Sequence, residues 1–254
     1  MSDAVNKRKI QVHYQPIVDA KTAQPVGMEA LARWRDRDVW VSPGIFIPVA
    51  ESLGLIHELG QLVLETGLVD YRKLCGKNEL RLAVNISNRQ LFSKTFVSDI
   101  IERITRHQLS PQHLKLEITE SIALDTSNAQ RTLNQLADAG FYLSIDDFGT
   151  GFSSLSRLHE LPVNELKIDM SFVRRAKSQE GKAMLRTIAN LARELNLALV
   201  AEGVEDQDTA DILGNLGIDY LQGYFFGRPV ALEEFINREP LAVMAPKIKN
   251  QVLE

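Results

Sequence analysis

Acidic and amide side chains recur in this 254-residue chain where short apolar runs come to an end: Glu29, Asn85, Glu117, the adjacent Asp146 and Asp147, then Lys167, Glu202 and Gln222. Carboxylates brought together without counter-charge are unstable, because each raises its neighbours' pKa and loses hydration on burial. A gathering of Glu29, Glu117, Asp146, Asp147 and Glu202 therefore implies cations. Oxygen donors from Glu, Asp and Asn, with no His or Cys among them, suit hard divalent ions such as Mg2+ or Mn2+ rather than zinc. Any one polar residue at a strand end is more often a turn former or a helix cap, and for Asn85 or Gln222 alone that reading would stand. It does not explain the whole series.

The elements that must position these residues follow from hydrophobic patterning. Ile10 to Val18 and Pro25 to Trp34 are apolar-rich runs separated by a link too short for a helical crossover, which predicts an antiparallel first pair. Helices are predicted over Pro43 to Ser52 and Leu55 to Leu74. Beyond them strands at Leu80 to Ile86, Leu114 to Thr119, Tyr142 to Asp146, Glu165 to Ile168, Ala198 to Ala201 and Tyr220 to Leu221 alternate with helices that include Thr95 to His107, Asn128 to Ala139 and Lys182 to Leu195. That rhythm predicts an α/β fold, a TIM-type (β/α)8 barrel with an antiparallel first strand. A doubly wound sheet is the rival, but the turn after the first strand lacks its G-x-G-x-x-G pattern. In the barrel, Glu29, Asn85, Glu117, Asp146, Lys167, Glu202 and Gln222 close successive strands and share one rim. The expected organisation is one domain over 10–240, between a leader (1–9) and a polar tail (241–254).

Composition narrows the partners. A formal net charge of -4 gives no electrostatic footprint for duplex nucleic acid, so any phosphate must be met by a few local cations. The single cysteine, Cys75, excludes an internal disulfide and fits a reducing, cytoplasmic setting, whether the parent protein is free or membrane-anchored. No apolar run has the length of a membrane span, and the first nine residues lack the core of a signal peptide.

The residues then resemble a known family. Glu29-Ala30-Leu31 looks like the signature of the EAL phosphodiesterases, and it is joined in order by Tyr14-Gln-Pro-Ile17, Asn85-Ile-Ser87, Glu117-Ile-Thr-Glu120, Asp146-Asp-Phe-Gly-Thr-Gly151, Lys167-Ile-Asp169, Ala201-Glu-Gly-Val-Glu205 and Gln222-Gly-Tyr224. The resemblance runs from about Ile10 to Pro229 and departs at no position that carries chemistry in the family; Phe152 stands where Tyr is frequent.

It implies metal-dependent hydrolysis of cyclic di-GMP to linear pGpG. One ion would be held by Glu29, Asn85, Glu117 and Asp146, and a second by Asp146, Asp147 and Glu202. Lys167 and Glu202 would serve catalysis, with Lys167 trading a proton with the attacking water or steadying phosphoryl oxygens; nearby metal cations should disfavour its ammonium form. Arg33 would contact a substrate phosphate, with a surface salt bridge as the alternative. Gln222 and Gln15 would touch substrate, although an antiparallel first strand sends its C-terminal end to the opposite rim. Glu120 would anchor the loop from Gly149 onward, and Glu205 and Asp169 would support the ligands from behind. A homodimer through the helix after that loop is also implied, as is an upstream sensor or GGDEF domain in a longer parent protein.

The competing function is a catalytically silent cyclic di-GMP receptor. Such relatives typically lack a metal ligand or the lysine, whereas this chain keeps each of them. A third reading is a barrel phosphodiesterase for another nucleotide, since the motifs fix the reaction better than the base. His13, His57, His107, His113 and His159 show no metal-ligand spacing, and Trp34 and Trp40 flank the rim for packing or for stacking on a purine.

Overall fold

A computed structural model of the chain describes residues 9–74, 80–125, 127–150 and 158–237. The tail, nearly all of the leader, Cys75 and residues 151–157, Phe152 among them, lie outside the described residues.

The chain opens on a hairpin of β1 (Ile10–Asp19) and β2 (Pro25–Asp36), antiparallel as predicted, with Gln15 opposite Glu29. Its turn is made by Asp19, whose Oδ1 accepts from the backbone N–H groups of Lys21 and Thr22 at 3.0 and 2.8 Å. A short β3 (Val39–Val41) pairs with the far end of β2, so β2 continues past Glu29 rather than closing there, a correction to the expected strand end. Two helices follow, α1 (Pro43–Ser52), with Pro43 at its first turn where no N–H is needed, and α2 (Ile56–Arg72).

After β4 (Arg81–Asn85) come α3 (Asn88–Leu91) and α4 (Phe96–Arg106). The brief α3 exists because Ser87 and Gln90 form a reciprocal capping box at its start. The alternation continues through β5 (Leu114–Thr119), α5 (Glu120–Asp125), α6 (Ser127–Asp138) and β6 (Tyr142–Phe148). It ends with β7 (Glu165–Ile168), α7 (Met170–Val173), α8 (Gln179–Glu194), β8 (Ala198–Ala201), α9 (Gln207–Asn215), β9 (Tyr220–Gln222) and α10 (Leu232–Asn237).

The sheet closes. Strands β2, β4, β5, β6, β7, β8 and β9 pair in parallel in that order, and β1 bonds antiparallel to both β9 and β2, which completes an eight-strand barrel with β3 as a hairpin outside it. Closure excludes the open doubly wound alternative and leaves no free barrel edge. Alternation of side chains splits each strand between the helical shell and the interior. Leu82, Leu116, Leu143 and Leu166 are fully buried in the main apolar core, and α2 approaches β4 closely at Gly67, where an added Cβ would lie 3.2 Å from Leu82. Burying one such leucine is worth about 1.5 to 3 kcal/mol. Among the described residues no helix is long and apolar enough to cross a membrane.

Candidate active site

Seven polar groups, six on strands and Glu202 just past the end of β8, converge at the C-terminal rim. Their centre is Lys167 on β7, fully buried, whose Nζ lies 2.6 Å from Glu202 Oε1, 2.9 Å from Glu117 Oε2, 3.2 Å from Asp146 Oδ1 and 3.8 Å from Glu29 Oε2. Glu29, on β2, accepts hydrogen bonds from Asn85 Nδ2 at 2.7 Å and Gln222 Nε2 at 2.6 Å. Asn85 thus spends its N–H on Glu29 and keeps its carbonyl oxygen for another partner.

Burial and like charge set the electrostatics. Desolvation pushes the Glu117 carboxyl well above the usual range, helped by Glu29 and Asp146. The same cause raises Glu202 to about 7 and lifts Asp147, where Asp146 and Asp169 add to it. Glu29 runs the other way: burial opposes its ionisation, but Lys167 and the hydrogen bonds from Gln222 and Asn85 prevail and hold it low. Burial alone would favour neutral Lys167, yet Asp146, Glu117, Glu202 and Glu29 hold its ammonium well above the ordinary lysine range. Among protein groups alone the balance therefore opposes the expectation that this lysine is poised to lose its proton; cations would have to reverse it.

Two buried atoms in this cluster, Glu117 Oε1 and Gln222 Oε1, have no hydrogen-bond partner among the described residues. An unpaired buried carboxylate oxygen costs about 1 to 3 kcal/mol or more, so a native structure carries one where something else completes it. Asp146, Asp147 and Glu202 also bring carboxylate oxygens within 4.8 Å of one another, an acidic cluster that could hold a metal ion. The residues present fit a hard cation.

Asp147 reaches that cluster through an irregularity. The β6 to β7 pairing runs in register at Ser144 and Ile145 and then shifts before Phe148, while Asp147 takes a left-handed φ of 55°. The two adjacent aspartates, which a regular strand would send to opposite faces, are thereby turned to one site. Beyond them Gly149 has φ of 95°, and a Cβ there would lie 2.7 Å from the Phe172 ring. Its N–H donates to Glu120 Oε2 at 2.8 Å, and Glu120 is buried. The link from Glu120 to the Gly149 N–H is present as geometry; the segment beyond it, from residue 151, where the expected dimer helix would start, lies outside the described residues.

The remaining expected residues fall as follows. Gln15 is at the site, correcting the expectation drawn from strand direction: it sits at mid-strand opposite Glu29, where polarity does not matter, and its Oε1 accepts from Gln222 Nε2 at 3.4 Å. Arg33 makes no ion pair among the described residues; its Nη1 donates to Ala32 O at 2.9 Å, and burial lowers its pKa. It lines an adjoining cavity with Leu31, Asn85 and Glu117. Asp169 caps α7 through Ser171 N–H at 3.0 Å, and Glu205 is exposed on the pocket wall rather than behind a ligand. Trp34 packs edge-on against Phe46 at 6.1 Å between ring centres, the packing outcome, whereas Trp40 stays half exposed. Among the described contacts, four of the five histidines serve local hydrogen bonds, to Pro229 O, Gln61, Glu65 and Ser110 N–H.

Sequence reasoning missed Met170 and Arg174, which line the same pocket as Glu29, Asp146, Glu202 and Gln222, together with Tyr224 under the Arg228 guanidinium at 4.1 Å. Their signal was proximity to Asp169 and Gln222 in the chain, which gives no direction for a side chain on a loop or a short helix.

Comparison with known proteins places this geometry among relatives. The EAL domain family matches residues 1–229. The chain is 39% identical over 241 residues to a bifunctional diguanylate cyclase/cyclic di-GMP phosphodiesterase, MucR of Pseudomonas aeruginosa, covering 93% of this chain and 35% of that protein. It is 36% identical over 255 residues to the probable cyclic di-GMP phosphodiesterase PdeG of Escherichia coli, covering 97% of this chain and 49% of that protein. It therefore spans half or less of the length of these curated relatives. The solved structure of the PaMucR phosphodiesterase in complex with c-di-GMP superposes with a TM-score of 0.88 at 39% identity, covering 92% of this chain and 97% of that one.

Proposed function

The chain belongs to the EAL domain family, and from that premise we propose that it is a metal-dependent phosphodiesterase that hydrolyses cyclic di-GMP to linear pGpG. The observation that carries the proposal is Lys167 drawing Glu29, Glu117, Asp146 and Glu202 around one buried ammonium, beside the Asp146, Asp147 and Glu202 cluster.

Glu29, Asn85, Glu117 and Asp146 would hold one Mg2+ or Mn2+, and Asp146, Asp147 and Glu202 a second. Bound there, such ions would supply Lewis-acid stabilisation of the phosphoryl oxygens and acidify water. The chain's own residues do the rest. Lys167 Nζ and Glu202 Oε1 are 2.6 Å apart, and once bound cations disfavour the ammonium this pair could pass a proton between the reacting centre and the pocket, which Glu202 lines. Arg33, without a carboxylate partner among the described residues, is available to a phosphate. Gln222 donates to Glu29, Gln15 accepts from Gln222, and both glutamines line the pocket. A cytoplasmic setting, a homodimer and an upstream sensor or GGDEF domain complete the reading. We take the barrel domain to be 10–240.

A silent receptor for the same dinucleotide is disfavoured by the intact ligand set and lysine. The deciding experiment incubates the protein with cyclic di-GMP and Mg2+ and chromatographs the nucleotides. A linear dinucleotide is expected; bound but unchanged substrate would establish the receptor instead, and another cyclic dinucleotide cleaved in preference would overturn the base assignment.

A further inference from the structure

Directly beneath the catalytic layer lies a second ion pair that the reaction does not touch. Lys115 is two residues before Glu117 on β5, Ser144 two before Asp146 on β6, and Glu165 two before Lys167 on β7. Side-chain alternation therefore points all three into the barrel, one layer below the site. Lys115 Nζ lies 2.6 and 2.8 Å from the two Glu165 oxygens, and Ser144 Oγ donates to Glu165 Oε1 at 2.9 Å. All three are buried. The upper layer repeats this arrangement with the charges exchanged: the lysine is on β7, the glutamate on β5, and Asp146 of β6 stands between them.

An interior position does not require such a pair. Ala83, the Cα partner of Lys115, packs in the barrel with Ile17 and Val200, and an apolar side chain would fill the space of Lys115 without the several kcal/mol that desolvating each ion costs. What the pair does is tie three strands together just below the bulge: Glu165 is the Cα partner of Ser144, and Lys115 reaches them from β5, two residues before the Cα partner of Ser144, Glu117. Ser144 opposite Glu165 is the first rung of the β6 to β7 ladder, Ile145 opposite Leu166 the second, and the register then shifts around Asp146 and Asp147. A bulge is held only as firmly as the regular rungs next to it, and on its lower side there are two. β5 is tied in as well, because Lys115 reaches across β6 to Glu165.

We propose that Lys115, Ser144 and Glu165 are positioning residues, a register lock on β5, β6 and β7 that holds the bulge and so aims Asp146 and Asp147 together at the site. Only the kinetic part of its test rests on the phosphodiesterase reading.

The test is the double variant Lys115→Met with Glu165→Leu, which removes both charges at once and leaves neither buried alone. Replacing a whole buried ion pair by apolar groups often leaves stability intact, so the variant should fold with a thermal midpoint within about 5 °C of the parent. Amide hydrogen exchange across Ile145 to Phe148, read without metal or substrate, should quicken at least about tenfold as the bulge loosens. On cyclic di-GMP, kcat should fall about 10- to 100-fold with KM nearly unchanged, the signature of misaimed ligand groups rather than lost binding. A folded double variant with parental exchange or parental kcat overturns the lock. If the double variant does not fold, Ser144→Ala decides. It deletes only the hydroxyl that ties β6 to Glu165, so it should quicken the same exchange and lower kcat; parental behaviour overturns the proposal. A parent protein that turns over no cyclic di-GMP would sink the phosphodiesterase reading and leave the exchange measurement to judge the lock.

Discussion

Asp147 holds a φ of 55°, a region that Asp and Asn enter more readily than other L-residues and that a fold keeps where its surroundings over-determine it. Asn at that position would keep both the size and the backbone preference while removing the charge, which makes Asp147→Asn a test of charge alone. With Asp147 one of three carboxylates within 4.8 Å, the variant should lose turnover by about 100-fold or more while retaining dinucleotide affinity to within about tenfold, because Glu29, Glu117 and Arg33 are untouched. Calorimetric titration beside a product assay separates the two quantities. Near-parental turnover would refute the assignment of Asp147 to a second ion, and loss of binding together with the fold would make the residue structural. At this scale the sequence was legible wherever a polar residue interrupts an apolar strand, as Glu117 and Lys167 do. It was illegible for Gln15, whose place depends on the register of a hairpin, and for Arg174, which no periodicity locates.

Strand β5 hands over directly to α5 at Glu120, and the buried Glu120 carboxylate receives the Gly149 N–H at 2.8 Å, so one side chain couples the end of β5 to the exit of β6. Gly149 can make that turn because its φ of 95° carries no Cβ into Phe172. Glu120→Ala removes no proposed metal ligand. It should nevertheless lower kcat about tenfold or more, since the turn at Gly149 just after Asp147 loses its tie, and should leave the secondary structure intact by circular dichroism. Unchanged turnover would take Glu120 out of the mechanism. Elements of this kind explain how much of the fold could be read in advance. Eight strands at barrel spacing and the antiparallel first pair followed from apolar runs and one short link. The hairpin strand Val39–Val41 and the single-turn helices Asn88–Leu91 and Met170–Val173 did not, because a turn or two of structure is set by a cap such as Ser87 or Asp169 and leaves no hydrophobic period to detect.

At the scale of the molecule, the barrel is a device for holding like charges together. Its apolar shell is continuous, yet one rim gathers Glu29, Glu117, Asp146, Asp147 and Glu202 against the single ammonium of Lys167, and that excess of negative charge strains the folded state without straining the unfolded chain, where the same groups stand apart in water. A divalent cation that binds the rim binds the native state alone, so it should raise stability by mass action, about 2.7 kcal/mol at a hundredfold excess over its dissociation constant. For a chain of this size that amounts to a rise in Tm of roughly 5 to 10 °C. The expected result is a midpoint that climbs with Mg2+ or Mn2+ and returns on adding EDTA, while NaCl at matched ionic strength reproduces only a small part of it, since diffuse screening acts weakly on buried charges. Asp146→Ala should abolish the climb, because Asp146 belongs to both proposed ligand sets. A parent protein whose midpoint is indifferent to Mg2+ and to EDTA would show that the rim balances its own charge, and the metal-dependent mechanism would fall with it.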